Sequence, residues 1–227
     1  MPSKNFFSLF IAFFLFHATE GQSLQAPPSF EQVSDFDFSL RMSGLMIQAN
    51  YQHLHRLNPK NQFRMGYGLS LIRYRSFADI SYTALGADSN NSSGRDSLQV
   101  ENPAISSLNL FLLLNYAPND RLDFGLAIDV LGIGWGPPQD AVLASGRNDN
   151  NPLGALAEPV LLNTSLLGWG AWRSQIQLRY WLFDRWALQG GMTYWISAYE
   201  VTDHNAVEEK QFTQGALFGK IGISFRW

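Results

Sequence analysis

No cysteine occurs among the 227 residues. That excludes a disulfide framework, a zinc–thiolate site, a thiol nucleophile and a lipid-modified N-terminus, each of which needs the sulfur. Charge is scarce too: charged residues make up 15% and the net charge is −3. With a pI of about 5.8, no basic field marks nucleic acid as a partner. After the first twenty-odd residues, no apolar run reaches the roughly 20 residues of a transmembrane helix. A mean hydropathy of −0.11 would suit a protein dissolved in water. Aromatics at 14% beside so little charge make an odd surface for one.

What is present begins with MPSKNFFSLFIAFFLFHATEGQ. Lys4 gives a positive start, Phe6 to Phe16 are nearly all apolar, and Thr19 and Gly21 are small residues at a spacing suited to a signal peptidase. Residues 1–21 are therefore expected to be an export signal, 22–35 a short periplasmic segment, and 36–227 the folded body.

From about residue 36 the chain alternates with a period of two, the mark of strands and not of helices. Phe36, Phe38, Leu40 and Met42 share one face of FDFSLRM. The apolar phase then moves to Ile47, Ala49 and Tyr51, and a strand cannot change faces without a turn or bulge. Two strands joined near Gly44 are expected, a single bulged strand being the alternative. Further rows follow: Phe63 to Leu71, Leu108 to Tyr116, Leu122 to Val130, Trp172 to Tyr180, Trp186 to Ile196 and Leu217 to Trp227. Short links at 57–61, 117–121 and 183–185 alternate with long segments at 76–103, 135–169 and 201–211. Short turns on one side and long loops on the other describe an outer-membrane barrel. The count predicts an all-β, up-and-down antiparallel transmembrane barrel of eight strands, with both ends in the periplasm.

The second face decides which way the rows point. Asp37, Arg41, Arg64, Asn115, Asp123, Asp129, Arg173, Arg179, Lys220 and Arg226 lie there among Gly, Ser and Gln. Small residues, amides and mixed charges suit a narrow interior that side chains fill. The charged members are expected to form an internal network, which satisfies them only if it closes. Outer-membrane lipid is then the partner of the apolar rows. Two aromatic girdles are expected, Phe63, Tyr116, Phe124, Tyr180, Trp186 and Trp227 at the short-turn side and Trp135, Trp172 and Tyr194 opposite.

In KIGISFRW, Lys220 and Gly222 precede Phe225 and Trp227 at fixed spacing. This resembles the C-terminal targeting strand of bacterial outer-membrane barrels. Together with LRYWLFDRWALQGGMTYW and FGLAIDVLGIGWG, the chain resembles the small outer-membrane β-barrel proteins of Bacteroidota-type bacteria, most of unassigned function. The resemblance implies recognition of the terminal aromatic by the barrel-insertion machinery.

Other motifs weigh little. GIGWG (132–136) has the glycines of a phosphate turn, but Pro137 and Pro138 follow where a helix is required. DSNNSSGRD (88–96) loosely resembles a calcium loop, with its glycine one place late and no closing Glu. His53 and His55 share a face without an evident third metal ligand. They, and His204 beside Asp203, also lack an assembled nucleophile. No cofactor, metal or catalytic residue is assigned. The apolar stretches AVLASG and LGALAEPVLLNT are expected to form a lid that packs on itself and the rim, the alternatives being to fold over or into the mouth or to bind a partner. The function expected is structural or surface-binding through the long loops, with a small hydrophobic ligand or a surface partner there. A carrier or narrow channel is the first alternative and a lipid-acting enzyme the second.

Overall fold

The computed structural model describes residues 30–58, 62–84, 97–144, 153–164, 170–201 and 211–227. The export signal, DSNNSSGRD and His204 lie outside these residues. Thirteen strands occur among them: β1 (Phe30–Arg41), β2 (Gly44–Arg56), β3 (Phe63–Ser76), β4 (Ile80–Ala84), β5 (Ser97–Val100), β6 (Ala104–Asn119), β7 (Leu122–Trp135), β8 (Gln139–Ala144), β9 (Leu153–Pro159), β10 (Leu162–Thr164), β11 (Trp172–Trp181), β12 (Trp186–Val201) and β13 (Gln211–Arg226). All pairings are antiparallel. No helix long and apolar enough to cross a membrane occurs among the described residues, which bears only on helical spans.

The long strands pair in the order β1–β2–β3–β6–β7–β11–β12–β13, and β13 returns to β1 with Val33 opposite Arg226 and Leu40 opposite Gly219. This closure gives each of these strands a partner on both sides, which an open sheet denies to two of them. β1 starts at Phe30, six residues before the expected boundary, because Val33, Ser34 and Asp35 already lie buried in the pairing. The phase change near Gly44 is a turn at Met42–Ser43, with Arg41 opposite Gly44.

Alternation places the apolar rows outward. Leu112 is 51% exposed, Leu126 53% and Ile221 64%, while Asn109, Asp123, Asp129 and Lys220 are buried. One expected row fails midway. Leu110 faces Leu131 and Phe111 faces Asp129, so Val130 is the extra residue of a β-bulge. Beyond it Leu131, Ile133 and Trp135 point outward in place of the even-numbered residues.

Five short strands occupy segments expected to be loops. One of them, β10, adds to β7. The other four form a chain: β13 pairs β4, β4 pairs β5, β5 pairs β8, β8 pairs β9 and β9 pairs β12. Because β12 pairs β13, these six strands close a second, smaller circuit at the long-loop end. Its filling is apolar: Tyr82, Leu98, Val100, Ala141, Ala157, Tyr199 and Phe212 are buried together, continuous with Met46, Ile72, Tyr74, Trp195 and Phe218 beneath them. Each large side chain sequestered there contributes on the order of 1.5–3 kcal/mol, which holds short strands that could not persist alone. A second cluster fills the short-turn end, with Val33, Leu54, Phe111, Leu113 and Trp181.

Gly68 faces inward on β3, where a Cβ would stand 2.5 Å from Phe111 Cζ and closer still to the Tyr51 carbonyl. Gly68→Ala is expected to destabilise the protein by about 1–3 kcal/mol through overpacking. Urea unfolding of refolded protein in detergent micelles measures it, and adding Phe111→Leu should recover part of the loss.

Candidate functional site

The interior between the two apolar clusters is built from side chains that alternation turns inward. Asp35 and Asp37 come from β1, Gln48, Asn50 and Gln52 from β2, Asn109 from β6, Asp129 from β7, Arg173, Gln175, Gln177 and Arg179 from β11, Gln189 from β12, and Lys220 from β13; all are buried. Arg179 Nη2 donates to Asp35 Oδ2 at 2.8 Å and Lys220 Nζ lies 3.2 Å from Asp37 Oδ2. Arg173 Nε donates to Asp129 Oδ1 at 3.2 Å, and Asn109 Nδ2 donates to Asp129 Oδ2 at 2.7 Å. Amides complete the set: Asn50 and Gln189 donate to Asp37 at 3.1 and 3.3 Å, and Lys220 donates to Gln175 and Gln177 at 3.2 and 3.1 Å.

Arg173 also donates to Gln48 and, at 3.0 Å, to Asn50 on β2. β11 and β2 stand four pairings apart whichever way the circuit is followed. The guanidinium therefore bridges opposite walls, and it lies 5.3 Å from the centre of the Phe111 ring. A side chain that reaches across leaves no continuous aqueous bore at that level.

A second group lies at the short-turn end. Glu31 binds Arg64 at 2.9 Å and Arg226 at 2.5 Å, and Asp123 accepts from Trp181 Nε1 at 2.9 Å with Arg64 3.8 Å away. The Arg226 guanidinium stacks on Trp181, 3.8 Å from its centre. Among the described ion pairs, five acids (Glu31, Asp35, Asp37, Asp123, Asp129) meet five bases (Arg64, Arg173, Arg179, Lys220, Arg226). Charge balance matters here, because an unpaired buried ion costs several kcal/mol.

Of the residues the sequence singled out, Arg64, Asp123, Asp129, Arg173, Arg179, Lys220 and Arg226 are brought into these two groups, with Asp37. Arg41 is not among the described ion pairs; it lies at the long-loop end of β1. The Asn115 side-chain amide is buried without a hydrogen-bond partner among the described residues. Asp35 and Glu31 escape a reading of the sequence because the visible alternation begins at Phe36; both keep the parity of Asp37, the signal that could find them. Burial in the upper cluster pushes the Tyr82 phenol well above its ordinary value, and its oxygen is 3.1 Å from Ser197 Oγ.

The terminal strand divides by parity. Lys220 and Gly222 face inward, where a Cβ on Gly222 would collide with Asp37. Phe225 and Trp227 face outward, Phe225 against Trp186 at 4.9 Å. Trp227 lies across the seam on β1, its backbone N–H donating to Gln32 O at 3.1 Å and its Nε1 to Ser34 Oγ at 2.9 Å. His53 and His55 point outward and stack on Tyr67 at 5.6 and 6.0 Å. A group of three or more His, Cys, Asp or Glu suited to a metal does not occur among the described residues. A shallow cleft on the upper circuit runs from Glu101 and Asp140 to Leu156.

No known family model matches the chain, and no curated protein matches it. Among solved structures it is similar to a major outer membrane protein from Thermus thermophilus, with 11% identity over 87% of this chain and 99% of that one and a TM-score of 0.43. Neisserial surface protein A shares 9% identity over 89% and 100%, with a TM-score of 0.37. Ail, the attachment invasion locus protein of Yersinia pestis, shares 9% over 87% and 97%, with a TM-score of 0.35. Likeness this distant carries nothing about activity.

Arg173→Met leaves Asp129 uncompensated in the interior, and a loss of about 3–5 kcal/mol is expected in urea titrations followed by tryptophan fluorescence. The double variant Arg173→Met/Asp129→Leu should lose less than Arg173→Met alone, since it removes both charges.

Proposed function

We propose that the chain is an exported outer-membrane protein, an eight-stranded transmembrane barrel whose interior is closed and whose extracellular end carries a compact cap. Its role is structural or surface-binding, and the chain resembles the small outer-membrane barrels of Bacteroidota-type bacteria. The observation that carries this reading is the pairing of faces. Apolar rows stand bare on the outside of a strand circuit without edges, while balanced ions fill its inside. In water such rows would exceed any ordinary exposed patch; against lipid tails they are matched. Aromatic contacts at the short-turn end support one interface, with Phe63 4.8 Å from Tyr116 and Tyr116 6.4 Å from Phe124.

The orientation follows from the loops. Short turns lie in the periplasm, and the six-strand cap stands outside the cell. The cap and the Arg173 bridge both stand against a carrier or channel. The cap is a folded surface on which a partner can be recognised, as extracellular loops on a rigid barrel commonly are.

Planar-bilayer recordings test the sealed interior: almost no steady current is expected, and a sustained open-channel conductance would refute it. A gel comparing unboiled with boiled protein should show the mobility change of a folded barrel. Trp227 is proposed to be read by the insertion machinery, so deleting it should lower outer-membrane assembly in cells more than it lowers the stability of protein already inserted. Normal assembly of that deletion would remove the targeting role.

A further inference from the structure

Among the described residues, the wall strands turn their lysines and arginines inward or place them at strand ends, with two exceptions. Arg73 and Arg75 continue the outward row of β3 directly above Phe63, Met65, Tyr67, Leu69 and Leu71, and both are exposed. We propose that this pair binds the phosphate of an anionic lipid headgroup in the outer leaflet, an assignment that rests on the membrane reading above.

Height is the first argument. Ten residues separate Phe63, at the short-turn aromatic belt, from Arg73. At about 3.4 Å per residue on a strand tilted by about 40°, this is about 26 Å, the height of the apolar band of such barrels. Arg73 stands where hydrocarbon gives way to headgroups, and Arg75 about 5 Å higher. An independent marker agrees. Arg73 lies opposite Ser106, and Ser106 lies opposite Trp135, so Trp135 stands two strands away and, at that tilt, within about 6 Å of the height of Arg73. Trp135 is outward and 44% exposed, as an interfacial indole should be.

Chemistry is the second argument. Neither arginine has an acidic partner among the described ion pairs, whereas Arg173 and Arg179, on the inward rows, are both neutralised. Arg73 spends one donor on Ser106 Oγ at 3.3 Å, which fixes its guanidinium against the wall and leaves the rest of the fork available. Residues two apart on a strand stand about 7 Å apart on the same face, so two forks can take one phosphate group from adjacent sides. On the two flanking strands the row is uncharged: Leu45 and Ile47 on β2, Ala104 and Ser106 on β6. Asp79, just beyond β3, forms no described ion pair with either arginine. Two guanidinium groups at a lipid boundary, unopposed and oriented along one face, call for an anion supplied by the bilayer.

The test uses the full mature protein refolded in micelles, with the unboiled-gel shift as the check on folding. The probe is a bis-phosphorylated glucosamine lipid, compared with its dephosphorylated form, and the readout is lipid retained in native mass spectrometry. Wild-type protein should retain the phosphorylated lipid and not the dephosphorylated one. The R73Q/R75Q variant should lose about tenfold in retention, as expected for removing charge-assisted bonds. Arg121→Gln, in the opposite turn, should retain it like wild type. Equal retention of both lipids, or no loss in R73Q/R75Q, overturns the proposal while leaving the barrel intact. An equal adduct with inorganic phosphate alone overturns the lipid assignment. A wild-type chain that shows no gel shift removes the membrane reading, and this inference with it.

Discussion

The hydrogen-bonded seam between β1 and β13 is the constraint from which the rest follows. With that seam closed, the backbone groups of the wall strands find partners within the sheet, which is the condition for placing strands in a medium without water. Closure also divides every strand into an inner and an outer row, so the chemistry of each residue is settled by parity. The outer rows can then be uniformly apolar, and the inner rows must accommodate whatever polar side chains remain.

Inside, size dictates the solution. A narrow interior leaves room for side chains and not for bulk water, so ions there must neutralise one another. The observed arrangement matches acids to bases and surrounds them with amides, which supply both donors and acceptors. Arg173 extends this from neighbours to opposite walls. Gly68 and Gly222 supply the space, by omitting a side chain where Phe111 and Asp37 need to enter.

Much of this was legible from period-two alternation: the long strands, their inward charges and the outward aromatics. Three features were not, each for a physical reason. The bulge at Val130 is invisible because a run of Leu, Ile and Val satisfies either face until its partner strand is known. The short strands of the long-loop end, at three to seven residues, show no period, and they are defined by partners far away in sequence. Asp35 and Glu31 lie before the first clear apolar row, and pairing with β13 and β2, not their own pattern, orders the chain from Phe30. Trp181 also departs from the expectation that aromatics face outward. Its indole turns inward to Asp123 and under Arg226, a role set by neighbours and not by hydrophobicity.

The hairpin of β12 and β13 runs through both circuits, sixteen residues in each arm. A load applied to the cap is therefore carried straight down this hairpin into the wall. There it acts along the strands, so that many hydrogen bonds resist at once where a flexible loop would peel away one bond at a time. Cap and wall are mechanically one object, and whatever pulls on the first is resisted by the second.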